Sequence, residues 1–369
     1  MRRPDRTEKF SVRYRNMTTG LRKSVALLLA AATIMLLAGF GQNHSADEEI
    51  ATFQDVAALV TGQEQNAEPD SKPQEAGQPA EADPEPAEEP VAEQKRAEPE
   101  FYYGMLPDQY YQECPEQGEA FSARTEKGDY VTVYLPYGYT EDRAYNVLII
   151  IPGLNEWCTS AVTSTFRSSY YDGDIIGRRI YDWAIYKGLC EPMIICSVNA
   201  PNTFQPRFMA YQLKEGILPY ITGHYSTYAE DSSFEALKEA RQHFALAGCS
   251  QGSGYVYAIG LGDYMFDAIG NFVCIAGEYG LSETAEETIN QKKFADLPIY
   301  CLYTACGSRD VYNLRDGEKG FHTIVDSTDR LEEGENAFLH TIDGSHLWPT
   351  WFTGIFNAMQ VIFLDRETG

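Results

Sequence analysis

Positive charge is scarce in this chain. Its 369 residues carry 29 Lys and Arg against 54 Asp and Glu, a formal net charge of -25, and so acidic a protein repels phosphate backbones and anionic lipid headgroups. Nucleic-acid binding through a basic face is therefore excluded. The sequence also lacks a Cys/His pattern with zinc-ligand spacing, a glycine-rich phosphate loop and any internal repeat, which removes structural zinc sites, nucleotide-triphosphate chemistry and solenoids from consideration. Histidine is sparse, with 6 residues, so the search for a general base is short. Apolar material is not lacking: at 44% hydrophobic and 13% aromatic the chain is too rich to be wholly disordered.

The charge is distributed unevenly. Residues 1–42 hold eight basic residues and two acidic ones, and the basic group precedes an apolar run from Val25 to about Gly41. That order is the order of an export signal, with Gly39-Phe40-Gly41 as a small-x-small cleavage site, and the run is also nearly long enough to cross a bilayer. A signal peptide and a retained membrane anchor both stay open; either makes the protein secreted or tethered to the cell surface, with membrane contact through this segment alone. Residues 43–100 turn to Glu, Ala, Pro and Gln, with three basic residues against sixteen acidic ones. Such a stretch has too few apolar side chains to offset the entropy of ordering it and is expected to be a disordered acidic linker. Residues 101–369 then form one domain. The eight cysteines of the chain are an even number in an exported protein, yet Cys196, Cys274 and Cys301 lie in strand-like runs and the domain is large enough to need no disulfide framework. Mostly buried thiols are expected, with room for one or two bridges.

Within the domain, short apolar runs alternate with helical patterns, the signature of parallel strands joined by crossover helices. Strands are predicted at Tyr130 to Leu135, Asn146 to Ile151, Met193 to Val198, Phe244 to Ala247, Phe272 to Ala276, Ile299 to Thr304 and Phe338 to Ile342. Between them Ile175, Ile176, Ile180, Trp183 and Ala184 recur at helical spacing. Ser232-Ser233-Phe234-Glu235 has the capping-box form ahead of a helix running toward His243, and a last helix is predicted from Pro349 to Phe363. The fold class is α/β, a mostly parallel sheet with helices on both faces.

Gly248-Cys249-Ser250-Gln251-Gly252 matches G-x-S-x-G, directly after an apolar strand and directly before a helical pattern. That junction forces the serine into a tight turn, for which only small residues two places either side leave room. The helix start, including the Gln251 N–H, would face an oxyanion formed on a substrate carbonyl. A serine hydroxyl needs a base, and His346, in a turn after the last strand, is the candidate. His44 falls in the linker, His224 and His243 precede the motif, and His322 and His340 sit in helix-like and strand-like patterns. For the carboxylate that orients the imidazole, chain order points between residues 251 and 345. Asp310 leads, after a strand and a Gly-containing turn; its plainer reading is a helix cap. Asp316 and Asp326 read as solvated acids and Asp343 as a turn former. Leu154, in the loop after Asn146 to Ile151, is the second oxyanion donor, since Pro152 has no N–H. Trp157 and Trp348 are candidate substrate-contacting residues, with a packed core tryptophan as the alternative for Trp157.

Several segments together resemble the exported esterases that include feruloyl esterases, acetylxylan esterases and the esterase modules of some xylanases. They are Tyr134-Leu135-Pro136-Tyr137-Gly138-Tyr139 with Tyr145-Asn146-Val147-Leu148, Gly216-Ile217-Leu218-Pro219-Tyr220-Ile221, Ala245 to Gly252, Ala305 to Asp310, and Gly344-Ser345-His346-Leu347-Trp348. The likeness spans about residues 120 to 365. It implies an α/β-hydrolase fold, a serine esterase with Ser250, Asp310 and His346 as its triad, no cofactor, and as substrate an ester-substituted carbohydrate or small ester. The chain departs from the family at Pro152-Gly153, where His-Gly is usual, and at Ser250-Gln251-Gly252-Ser253, where Ser-Met-Gly-Gly is common. Two other readings are acyl transfer to an alcohol and a catalytically inactive hydrolase fold that binds carbohydrate on some of its 25 Tyr and 4 Trp.

Overall fold

In a computed structural model, residues 96–364 apart from Tyr312 are described; the signal or anchor expected over 1–42 and the linker as far as residue 95 lie outside the described residues. The strands in chain order are β1 (Glu119–Arg124), β2 (Tyr130–Leu135), β3 (Asn146–Ile151), β4 (Thr165–Ser168), β5 (Tyr171–Ile176), β6 (Met193–Val198), β7 (Phe244–Cys249), β8 (Asn271–Ile275), β9 (Cys301–Gly307) and β10 (Ala337–Ile342). An 8-stranded sheet has the order β1-β2-β6-β3-β7-β8-β9-β10. It is antiparallel at β1/β2 and β2/β6 and parallel from β6 to β10.

Side chains alternate across this sheet and both faces are covered. In β3, Val147, Ile149 and Ile151 join one hydrophobic core while Leu148 and Ile150 join the other. That double burial is why the strand reads as an unbroken apolar run instead of an alternating one. One face is covered by α1 (Gly177–Tyr186) and by the carboxyl-terminal helix Trp348–Met359. Against the other lie α2 (Pro206–Gln212), continued through a π turn into α3 (Leu218–His224), then α4 (Phe234–Glu239), α5 (Gln251–Tyr255), α6 (Ser282–Ile289) and α7 (Leu314–Val325), which leaves Trp348–Met359 as α8. The chain leaves β3 toward β6 on one side and returns past it to β7 on the other. The carboxyl ends of β3 and β7 therefore flank the point where the winding reverses, the usual place for a site in such sheets.

The departures from expectation have local causes. Ile175 and Ile176 are not helical; they end β5, pairing with Phe166 and Thr165 of β4 in a small hairpin, and β-branched residues fit that pleated surface. Ile180, Trp183 and Ala184 do lie in α1. The cap of α4 is Ser233, whose Oγ accepts the Ala236 N–H at 3.2 Å, and not Ser232; that helix ends at Glu239. The last helix starts one residue early and stops at Met359, with Phe363 beyond it at φ 57°. The residues just ahead of position 101 pack on the domain. Asn357 and Gln360 each exchange a pair of side-chain hydrogen bonds with the backbone, of Tyr102 and Glu100 respectively. All eight cysteines are buried and none is in a disulfide, so none of the bridges allowed for is formed. Among the described residues no helix is long and apolar enough to cross a membrane.

His340 of β10 is buried, enclosed by the rings of Phe101, Tyr103, Tyr303 and Phe338, with Nδ1 at 3.1 Å from the Tyr303 hydroxyl. Burial holds its pKa down at about 4, below the roughly 6.5 of an unfolded chain. The folded state thus binds fewer protons than the unfolded one between these values, and stability is lost as pH falls from about 6.5 toward 4. In urea titrations His340→Leu is expected to narrow the stability gap between pH 7 and pH 4.5; an unchanged gap would remove His340 as its source.

Candidate active site

Ser250 stands immediately after β7 with φ 54° and ψ -120°, a left-handed conformation rare for a residue with a side chain. Its neighbours explain how this is tolerated. A Cβ on Gly248 would collide with the carbonyl of Gly252, and one on Gly252 with the carbonyl of Ile151 at the end of β3. The two glycines are therefore required by close approach of backbone to backbone. The Ser250 N–H donates to the Ile275 carbonyl at 2.8 Å, tying the turn to the neighbouring strand β8.

The hydroxyl meets an imidazole from 96 residues further along: His346 Nε2 lies 2.8 Å from Ser250 Oγ. On the far side of the ring, Nδ1 lies 2.6 Å from Asp310 Oδ2. With a carboxylate at Nδ1, that nitrogen carries the proton and Nε2 accepts from Ser250. Asp310 is 1% exposed. Its other oxygen accepts at 3.3 Å from both the backbone and the side-chain N–H of Asn313; Asp310 thus braces the turn ahead of α7, whose cap position is Asn313 and not Asp310. The loops carrying acid and base are laced together. Ser308 N–H donates to Ile342 O and Arg309 N–H to Gly344 O, each at 2.8 Å, and the Arg309 guanidinium pairs with Asp343. Asp343 is thus the ion-pair partner of the acid loop and does not orient His346. The Trp351 ring meets the His346 ring edge-on at 4.9 Å.

The other described histidines are held elsewhere. His224 Nδ1 contacts the Tyr220 carbonyl at 2.9 Å, His243 stacks on Tyr228 at 3.5 Å, His322 lies in α7 and His340 in β10. Gln251 occupies the first position of α5, and the Pro152–Leu154 loop follows β3, the strand that packs on Gly252. The N–H groups of Gln251 and Leu154 have no hydrogen-bond partner among the described residues, so both are free donors. Trp157 is 66% exposed, not a packed core residue. Trp348, the other candidate substrate contact, is 4% exposed and stacked on Phe166, and its indole N–H is taken by the Glu156 carboxylate.

Three nearby residues were not anticipated. Asn313 braces Asp310 from three residues on, through its backbone and side-chain N–H groups. Glu156 accepts from the Gly153 N–H at 2.9 Å as well as from Trp348. Tyr279, in the loop after β8 with φ 61°, places its hydroxyl 3.2 Å from Ser250 Oγ. Because the serine proton faces His346, the Tyr279 hydroxyl donates to Ser250. Burial holds the Tyr279 phenol above its ordinary pKa, keeping that donor protonated. Ser250 itself is 2% exposed. Burial likewise pushes up the thiols of Cys249 and Cys306, which therefore stay protonated and are no rivals as nucleophile. Among the described residues no group of three or more His, Cys, Asp or Glu is arranged to hold a metal ion. The arrangement can take the proton of the Ser250 hydroxyl onto His346.

No family model matches the chain. It is 24% identical over 282 residues to endo-1,4-beta-xylanase Y of Acetivibrio thermocellus, a match that takes in 71% of this chain and spans about a quarter (24%) of the length of that relative. Among solved structures it resembles the feruloyl esterase module from Clostridium thermocellum complexed with sinapinate, at 20% identity and a TM-score of 0.61, over 75% of this chain and 99% of that one. It also resembles a ferulic acid esterase from the fungus Anaeromyces mucronatus, at 20% identity and a TM-score of 0.51, over 72% of this chain and 98% of that one. The fold is that of the α/β-hydrolases.

The collision at Gly252 makes a further expectation. Gly252→Ala should destabilise the domain by about 3 kcal/mol, since backbone on both sides must move to admit one methyl. Chemical denaturation at neutral pH measures this, and a loss below about 0.5 kcal/mol would contradict the close approach.

Proposed function

We propose that this protein is a serine carboxylester hydrolase, which removes feruloyl-type or acetyl-type groups from plant polysaccharide or related small esters. The observation that carries the reading is the continuous contact from Asp310 through His346 to Ser250, at 2.6 Å and 2.8 Å. A carbohydrate-binding protein has no use for a serine hydroxyl so placed. The names of the similar proteins, a xylanase and two feruloyl esterases, support the substrate class. The basic-then-apolar order of residues 1–42 supports an exported or membrane-tethered enzyme.

In this mechanism Ser250 Oγ attacks the ester carbonyl carbon while its proton passes to His346 Nε2. Asp310 accepts from Nδ1–H throughout, fixing the tautomer and stabilising the imidazolium. The former carbonyl oxygen, now an oxyanion, is held by the N–H groups of Gln251 and Leu154. When the intermediate collapses the carbon–oxygen bond to the alcohol breaks, and His346 returns its proton to the departing oxygen. Water then attacks the acyl-serine, giving its proton to His346, and the acid leaves as Ser250 is restored. Ester and water are consumed, and no cofactor is called for.

Ser250→Ala is expected to lower kcat for p-nitrophenyl ester hydrolysis by about four or more powers of ten with the fold intact by circular dichroism. A fluorophosphonate should label the wild-type chain at Ser250 alone. An unchanged rate in the variant, or no adduct at Ser250, overturns the assignment. Catalytic efficiencies across acetyl, feruloyl and longer acyl esters then define the acyl group.

A further inference from the structure

Glu156 has an environment unusual for a carboxylate. Among the described residues it makes no ion pair with Lys or Arg. Its oxygens are instead filled by neutral N–H donors: Gly153 N–H reaches Oε2 at 2.9 Å, and the Trp348 indole N–H reaches Oε1 at 2.9 Å and Oε2 at 3.1 Å. Burial pushes its pKa up while these donors pull it down.

The same residue closes a turn. The Glu156 backbone N–H donates to the Gly153 carbonyl at 3.2 Å, with Leu154 and Asn155 between them and Asn155 at φ 57°. Glu156 therefore grips Gly153 at both its polar groups, with the side chain on the N–H and the backbone on the C=O. In a trans peptide the C=O of one residue and the N–H of the next point in opposite directions. Fixing the Gly153 carbonyl toward Glu156 thus fixes the Leu154 N–H to point the other way. The turn is anchored outward as well, since Ala200 N–H donates to Glu156 O at 2.9 Å and Cys158 N–H to Asn199 Oδ1 at 2.8 Å. Finally, Trp348 lies two residues after His346 and opens α8, so one carboxylate links the loop after β3 to the loop that carries the imidazole.

We propose that Glu156 is a positioning residue for oxyanion stabilisation: it orients the Leu154 N–H and, through Trp348, holds that donor in register with His346. The proposal rests on the esterase reading above, with Leu154 as an oxyanion donor. The side-chain hydrogen bonds of Glu156 go to Gly153 and Trp348 and not to Ser250, so it acts through the turn it closes. A misplaced donor costs rate without costing ground-state affinity, because the oxyanion exists only along the reaction path.

The test compares the full chain with Glu156→Ala, Glu156→Gln and Trp348→Phe, with rates expressed per fluorophosphonate-titrated serine so that misfolded protein does not count. Glu156→Ala is expected to lower kcat about ten- to a hundredfold with KM within about twofold, to weaken binding of an aryl boronic acid in parallel, and to speed amide hydrogen exchange in residues 153–158. Glu156→Gln, whose single carbonyl can accept both the Gly153 and the indole N–H, should restore kcat to within a few-fold. Trp348→Phe, which keeps a buried ring but loses the indole donor, should fall between them, and it decides the matter with Gln if the alanine variant does not fold. Wild-type kcat and loop exchange in Glu156→Ala, or a loss carried by KM, overturns the proposal. A wild-type chain that hydrolyses no ester and takes no fluorophosphonate would sink the esterase reading, while loop exchange would still report whether Glu156 holds the turn.

Discussion

The close approach of Gly252 to the end of β3 governs this molecule. With no side chain at Gly252 or Gly248, the first turn of α5 lies directly on the Ile151 carbonyl, and the chain between them has no course open but the sharp left-handed bend at Ser250. That single contact places the serine hydroxyl at the sheet edge, aims the start of α5 at the same point and brings the loop after β3 alongside. Strain at Ser250, of order 1–3 kcal/mol for such backbone, is held by the Ser250 N–H bond to β8 and by the double-sided burial of the strands beneath.

The other two groups arrive by a separate device. β9 and β10 are parallel neighbours, so their carboxyl ends deliver the acid turn and the histidine turn side by side, and backbone bonds from Ser308 and Arg309 lock the two turns into one unit. The imidazole is then gripped from both nitrogens, with Trp351 against its edge. The Ser250 turn and the Asp310–His346 unit belong to different strands, and they meet because the sheet orders β7, β8, β9 and β10 consecutively. Glu156 adds a further bridge, from the β3 loop to the start of α8.

Much of this was legible in the sequence because the relevant signals are local. Continuous apolar runs marked the strands of the parallel region, since double burial leaves no polar alternation. The spacing of Gly248, Ser250 and Gly252 encodes a turn that five residues suffice to specify, and among the acids and histidines that chain order leaves, Asp310 and His346 stand out because each follows a strand by a short turn. What escaped was set by partners distant in sequence. β1 and the β4–β5 hairpin have mixed, partly exposed patterns, which carry little periodicity to read. The partners of Trp348, Phe166 and Glu156, were not legible, 192 residues separating that tryptophan from its carboxylate. Tyr279 reaches Ser250 across a loop held at positive φ, a conformation its own side chain disfavours.

The sequence by itself thus determined the class of fold, the bend at the serine and the strand-end turns that carry Asp310 and His346, because strand burial, glycine spacing and strand-end turns are properties of short stretches of chain. Only the tertiary structure decided which side chains surround those residues. The Tyr279 hydroxyl on Ser250, the Asn313 brace on Asp310 and the Glu156 grip on the Leu154 turn depend on sheet order, and sheet order comes from packing two cores at once, which no local window of residues contains.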